Sequence, residues 1–202
     1  MAKLKLTKNE LKKQKEALKM FVRYLPTLQL KKQQLQTEIG KINRTIRELD
    51  QQQETFLRGL EQWVDVFAED IGIENWFKIN RIVTDTGNIA GIDIPVYVTV
   101  EFDEQEYDLM RTPLWVDAGI GACKEYIQLK AKQLIAQKQQ EILQEELRIT
   151  SQRVNLFEKV KIPHTKEHIR VIRIALGDLQ TAEVVRGKIA KKKLLKKQLI
   201  AA

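Results

Sequence analysis

The sequence predicts a mainly α protein. It should be a long antiparallel two-helix coiled coil made by the N- and C-terminal segments, with a small central β-hairpin and short-helix end. Three observations predict this. Apolar residues recur at every seventh position between residues 21 and 63. A second seven-residue series occupies residues 135–156. Between them lies a stretch with strand-like alternation and turn residues. The corresponding segments are 1–70, 71–120 and 121–202.

In the first segment the unbroken series is Phe21, Leu28, Leu35, Ile42, Leu49, Phe56 and Trp63. Leu4, Leu11, Leu18, Leu25, Ile39, Ile46, Leu60 and Phe67 stand in a companion series, interrupted only by Lys32 and Gln53. Alternating steps of three and four put both series on one narrow stripe, the seam of a left-handed coiled coil. Thr7 with Glu10 has capping-box spacing, so the helix is expected to start there. Pro26 falls inside the pattern and is expected to bend the helix. Gly72 marks its expected end.

The central segment reads as two strands, Trp76 to Thr84 and Ile89 to Phe102. The turn is expected at Asp85-Thr86-Gly87-Asn88, and Pro95 should make the start of the second strand an edge or bulge. A short helix or turn follows over Tyr107 to Asp117, broken at Thr112-Pro113. A two-stranded hairpin is marginal alone, so it must pack on helices or on a partner. Helix resumes at Ala118. Ile135, Ile142, Ile149 and Leu156 repeat by sevens, with Leu143, Leu147, Val154 and Phe157 widening the stripe. Pro163 interrupts, and Ile169, Ile172, Leu176 and Leu179 resume the alternation.

The charged fraction of 31% against an aromatic fraction of 6% suits long solvated helices better than a compact enzyme. A single cysteine, Cys123, excludes an internal disulfide and points to a reducing compartment. The N-terminus lacks the apolar segment of a secretory signal, and no apolar run is long enough to span a membrane. Charge is segregated. Residues 1–19 carry seven lysines against Glu10 and Glu16, and residues 186–202 carry seven cations and no acid. Residues 61–117 hold thirteen acids and three bases.

Motifs of chemistry are weak. His164-Thr165-Lys166-Glu167-His168 matches the H-x-x-E-H pattern of zinc hydrolases. Flanking Lys161, Lys166 and Arg170 would repel a cation, and catalytic zinc needs a third ligand, so a solvated helix face accounts for it better. Gly119-Ile120-Gly121-Ala122-Cys123-Lys124 lacks phosphate-loop spacing and reads as a flexible junction before a helix. Asp103, Glu104, Glu106 and Asp108 lack the spacing and turn glycine of a calcium loop. No catalytic residue, metal ligand or cofactor is expected. The basic tail has no aromatic residue over 180–202, which disfavours a nucleic-acid contact. Leu194, Leu195, Leu199 and Ile200 among its lysines read instead as a helix tip meeting a protein surface.

Several of these stretches carry a family likeness. Arg153-Val154-Asn155-Leu156-Phe157-Glu158, followed by Ile162-Pro163 and the run Ile169 to Leu179, resembles the C-terminal helix of the D subunit of the V-type (A/V-type) ATP synthases and ATPases. Asn88 to Val96, with Gly91, Ile94 and Pro95, is similar to that family's central hairpin, and Leu28, Leu30, Lys31 and Leu35 to its first helix. Tyr24-Leu25-Pro26-Thr27 departs from the family's basic, Gly-containing segment and marks a divergent bacterial branch.

The resemblance implies a non-catalytic central rotor shaft, cytoplasmic and peripheral to the cell membrane. Its turning would couple ATP synthesis or hydrolysis to proton or sodium transport. It implies that Lys3, Lys5, Lys8, Lys12, Lys191, Lys192, Lys193, Leu194, Lys196, Lys197 and Leu199 bear against the catalytic ring of A and B subunits. It further implies that Ile89, Ile92, Ile94, Val96, Asp103, Glu104 and Glu106 meet the stalk partners, namely the F subunit and the socket subunit over the proteolipid ring. The competing expectation is a free-standing basic coiled-coil adaptor for nucleic acid or an anionic membrane surface.

Overall fold

The computed structural model describes residues 4–61, 76–105 and 112–200, with the side chains of the last helix described up to residue 194. The elements are helix α1 (Lys8–Leu60), strands β1 (Phe77–Ile89) and β2 (Ile92–Glu104), helix α2 (Val116–Asn155), a π-helical turn (Leu156–Lys161) and helix α3 (Ile162–Ile200). The chain is thus mainly α, with long helices in contact and a central antiparallel hairpin. It divides into two compact units, Lys31–Ile149 and Met1–Leu30 with Thr150–Ala202.

Helix α1 has 53 residues, roughly 80 Å at 1.5 Å per residue. Its start forms half a capping box. The Glu10 N–H donates to Thr7 Oγ1 at 3.3 Å, while the Glu10 carboxylate turns to accept from Gln14 Nε2 at 2.9 Å. The expected bend at Pro26 does not divide the helix, which runs through it. Pro26 is exposed, and Val22, whose carbonyl loses its donor there, is 52% exposed, so water can satisfy that carbonyl. The expected end at Gly72, and the seam residues Trp63 and Phe67, lie outside the described residues.

Along α1 the predicted stripe is the buried one. Leu11, Leu18, Phe21, Leu25, Leu28, Ile46, Phe56 and Leu60 are half-buried, and Leu35, Ile39, Ile42 and Leu49 are buried. The two expected interruptions belong to the seam as well, since Lys32 is half-buried and Gln53 is buried. Gln53 Nε2 donates to Gln133 Oε1 at 3.2 Å and to the Leu129 carbonyl at 3.4 Å. Gln133 Oε1 also accepts from Lys130 Nζ at 2.8 Å, and Gln133 Nε2 donates to Asp50 Oδ1. A satisfied polar pair inside an apolar seam fixes register, because any slip would strand both amides.

Within Lys31–Ile149, α1 and α2 run antiparallel. Lys31 Nζ lies 2.9 Å from Glu146 Oε1, Gln140 Nε2 donates to Asn43 Oδ1 at 2.6 Å, and Phe56 stacks on Tyr126. As the α1 number rises, the α2 number falls. Leu35, Ile39 and Ile42 meet Leu143 and, from the hairpin, Ile94 in one core.

The deep seam of α2 is one residue out of step with the expected one. Ala136, Leu143 and Thr150 are buried, whereas Ile135, Ile142 and Ile149 are only half-buried and Leu156 is 43% exposed. The reason is a second neighbour. Ile142 packs at the edge of the core that holds hairpin residues Ile89 and Ile92, so the apolar stripe is wide enough to serve α1 and the hairpin at once.

The hairpin turns at Ala90-Gly91, not at residues 85–88, and Ile89 pairs with Ile92. Both loop residues have positive φ, 54° and 78°, as a two-residue hairpin loop demands. Asn88 secures it, accepting from the Gly91 N–H at 3.0 Å and donating to Asp93 at 2.8 Å. Gly87 is a strand residue for a different reason from turning. A Cβ there would sit 2.7 Å from Val96 Cγ2, so its value is close cross-strand approach. Pro95 is tolerated because each strand of a two-stranded ribbon is an edge, and its carbonyl accepts from Gln139 Nε2 of α2 at 2.6 Å.

Helix α2 begins at Val116, two residues before the expected start, so Gly119 to Lys124 are helical rather than a junction. The six residues Leu156–Lys161 form the π-helical turn, and the chain stays helical across Pro163. The wide i→i−5 bonding, seen in Ile162 N–H donating to the Phe157 carbonyl, adds one residue to the turn. It also re-phases the seam. Thr150, Val154 and Phe157 precede it; Ile162, Thr165, Ile169, Ile172 and Leu176 follow, all buried or half-buried. A regular α-helix would instead have turned Lys161, His164, His168 and Val171 inward. Beyond that point Leu179, expected in the seam, is 54% exposed.

Two measurements check these assignments. Ile172→Ala removes a fully buried side chain and should cost about 2–5 kcal/mol in urea unfolding, whereas Ile174→Ala, at a side chain 51% exposed, should cost under about 1 kcal/mol. Gln133→Leu strands Gln53 and should cost about 1–2 kcal/mol, and adding Gln53→Leu to it should recover most of that loss.

Candidate functional site

No enclosed reaction site is built by the described residues. Cys123 is half-buried, and burial pushes its thiol up, so thiolate is scarce and nucleophilic chemistry unsupported. Glu167 of the H-x-x-E-H stretch is gripped by Arg170 through two bonds of 2.9 and 2.7 Å. That pairing holds its carboxyl below the ordinary range. Among the described residues no three His, Cys, Asp or Glu side chains are placed to share a metal ion. Two exposed surfaces stand out among the described residues.

The first is the cationic end of α3. Between residues 177 and 194 every residue is exposed except Ala182, which is half-buried. Val184, Val185, Ile189 and Leu194 are between 49% and 63% exposed, so this helical stretch buries no stripe against its own chain. Lys191, Lys192 and Lys193 are exposed on it. At the start of α1, Lys5 and Lys8 are exposed, and Lys12 approaches Glu16 at 4.0 Å. Lys3 and the side chains of Lys196, Lys197 and Leu199 lie outside the described residues.

The second is the hairpin and the face of α2 beside it. Here the structure separates the expected residues. Ile94 is 3% exposed and, with Ile89 and Ile92, packs into the chain's own core. Val96 is 39% exposed and Asp103 is exposed. Glu104 pairs with Lys124 of α2 at 2.7 Å, and Glu106 lies outside the described residues. Within the hairpin expected to meet the stalk partners, Ile79 and Ile82 are 52% and 38% exposed, and Leu134 of α2, which the sequence did not single out, is 49% exposed. With Tyr126, Ile127, Lys130 and Ala131 they line an apolar recess of about 160 Å³. Three positions apart, Ile79 and Ile82 would face opposite sides of a regular strand. The register shift between Ile79 and Arg81 inserts one residue and brings both to one side. Only an unusually spaced isoleucine pair hinted at this.

The chain matches the ATP synthase D subunit family over residues 10–192. It is 51% identical over 197 residues to the V-type ATP synthase D subunit of Borreliella burgdorferi, covering 98% of each chain. The chain belongs to the ATP synthase D subunit family. It is also 38% identical to the V-type ATP synthase D subunit of Chlamydia muridarum, covering 95% of this chain and 96% of that one. The Chlamydia caviae protein of the same name is 37% identical, with 95% and 93% covered. The D subunit is the central-stalk rotor component of the V-type ATP synthase and is not one of its catalytic subunits. Among the described residues no helix is long and apolar enough to cross a membrane.

On the exposed hairpin face, Arg81 grips Glu101 across the strands at 2.7 and 3.0 Å. The Arg81 side chain, by hydrogen bond first and charge second, lowers the Glu101 carboxyl. A lowered carboxyl contributes stability above its unfolded-state value and loses it as pH falls through the folded value. Arg81→Gln should therefore raise the Glu101 titration midpoint in side-chain NMR, with little change in stability at neutral pH.

Proposed function

We propose that the cationic end of this D subunit turns inside the catalytic ring of A and B subunits, while the hairpin face holds the stalk partners, the F subunit and the socket subunit over the proteolipid ring. The complex would stand on the cytoplasmic side of the cell membrane. The observation that carries the reading is the stretch 177–194, a helix whose apolar and cationic side chains are exposed and find no cover among the described residues. From Val184 onward the sequence holds no acid, so the lysines from Lys188 on have no acidic neighbour within the following helix.

The physics of a rotor favours this arrangement. Torque must pass along paired helices without slippage, and a buried seam with a polar lock at Gln53 and Gln133 resists slippage. The turning end must grip every angular position about equally. Exposed ion pairs contribute only ~0–1 kcal/mol each and re-form readily, so mobile lysines suit a surface that must let go. At the stalk end the need is reversed, because the partners turn with the shaft. An apolar recess such as that of Ile79, Ile82 and Leu134 suits a lasting contact.

Two experiments test it. Removing residues 188–202 from the assembled complex should lower the torque of ATP-driven rotation; undiminished torque would overturn the ring contact. Ile79→Asp with Leu134→Asp should weaken capture of the F subunit at least roughly 10-fold, since each buried aliphatic side chain is worth about 1.5–3 kcal/mol. Full retention by that variant would place the F subunit elsewhere.

A further inference from the structure

The π-helical turn leaves one feature that a rotor does not require. His164 and His168 are the only histidines of the chain. By adding a residue before them, the turn moves both out of the seam and onto the rim of the groove between α3 and α1. Their rings lie 4.1 Å apart, centroid to centroid. They line a recess of about 390 Å³ with Gln14, Ala17 and Phe21 of α1 and with Val160, Lys161 and Thr165. His164 is exposed and His168 half-buried, so the pair is open to solvent from one side and walled by the facing helix on the other.

We propose that this pair is a two-histidine clamp for a borderline divalent transition metal, of the class of Cu²⁺, Ni²⁺ and Zn²⁺. Two imidazoles one helical turn apart on one face can each place a nitrogen about 2.0–2.1 Å from a shared ion. The remaining positions fall to water, which the open side of the recess admits. Nothing in this donor set makes it a hydrolase. Glu167, the residue a hydrolase would use as base, is held by Arg170.

The donor chemistry sets the selectivity. Neutral nitrogen donors with no carboxylate in the lining suit borderline metals and give little to Mg²⁺ or Ca²⁺, which require oxygen. Of the flanking cations that count against a metal, Lys161 lines the recess but is exposed, so its ammonium can remain in water while its stem forms the wall; Lys166 is exposed and outside the lining, and the charge of Arg170 is met by Glu167. The clamp spans 164–168, directly after the π-helical turn. A bound ion therefore ties down the first regular turns of α3 and stabilises the folded helix there.

The test is calorimetric titration of the untagged full chain with Cu²⁺, Ni²⁺, Zn²⁺ and, as the hard-ion control, Mg²⁺. One ion per chain should bind, with Cu²⁺ tightest and no Mg²⁺ binding. His164→Ala and His168→Ala should each lose roughly 10-fold or more in affinity, and Cys123→Ser should change nothing. Zn²⁺ should also raise the melting temperature of the wild-type chain and of Cys123→Ser, but not of either histidine variant. Both histidines sit on the rim, so the alanine variants should fold, and circular dichroism checks that they do. Absence of binding to the wild-type chain, equal affinity in the histidine variants, or equal binding of Mg²⁺ would overturn the proposal.

Discussion

The apolar stripe of α1 is covered by the helices that return beside it. Most helical stability in proteins comes from burying an amphipathic face rather than from propensity, and that is what α1 and the run from α2 through α3 provide for each other. Leu35, Leu143 and Ile172 are fully buried on that seam. Each is surrounded by residues three and four positions away that are themselves buried or half-buried. The constraint is one of phase: whatever else the chain does, its buried positions must keep returning to the same side.

The irregularities make sense as ways of meeting that constraint. Gln53 and Gln133 introduce polarity into the seam but complete each other's hydrogen bonds, so they select one alignment at little cost. Pro26 removes a hydrogen bond on the exposed side of α1, where water is available. The π-helical turn adds a residue just before Pro163, whose ring would otherwise press on the carbonyl of the preceding turn. Thr165, which the new phase buries, donates its hydroxyl to the Lys161 carbonyl at 2.7 Å. Among the described residues, no buried side-chain polar atom lacks a partner.

The hairpin depends on the same helices. Two strands alone are marginal, and this pair is held along β2 by α2. Pro95 receives Gln139, the Tyr97 ring lies under Lys132, and Glu104 meets Lys124. Its turn end is pressed into the core through Ile89, Ile92 and Ile94. That leaves Ile79, Ile82, Val96 and Val98 as its exposed apolar positions.

The sequence by itself determined the helical seam of α1, the existence of the hairpin and the segregation of charge. These are local or strictly periodic properties, and a seven-residue repeat allows little else. It also carried enough of the Arg153–Pro163 stretch to resemble the D subunit family. Only the tertiary structure decided the rest. A one-residue insertion is invisible in a residue pattern, so the phase of α3 and the outward placement of His164 and His168 could not be read in advance. The turn fell at Ala90-Gly91 rather than in the richer turn chemistry of residues 85–88, which became strand: Gly87 pairs with Ile94 and leaves no room for a side chain beside Val96. Whether an isoleucine belongs to the core or to a partner depends on what lies across from it, and that is a property of the assembled helices rather than of the chain.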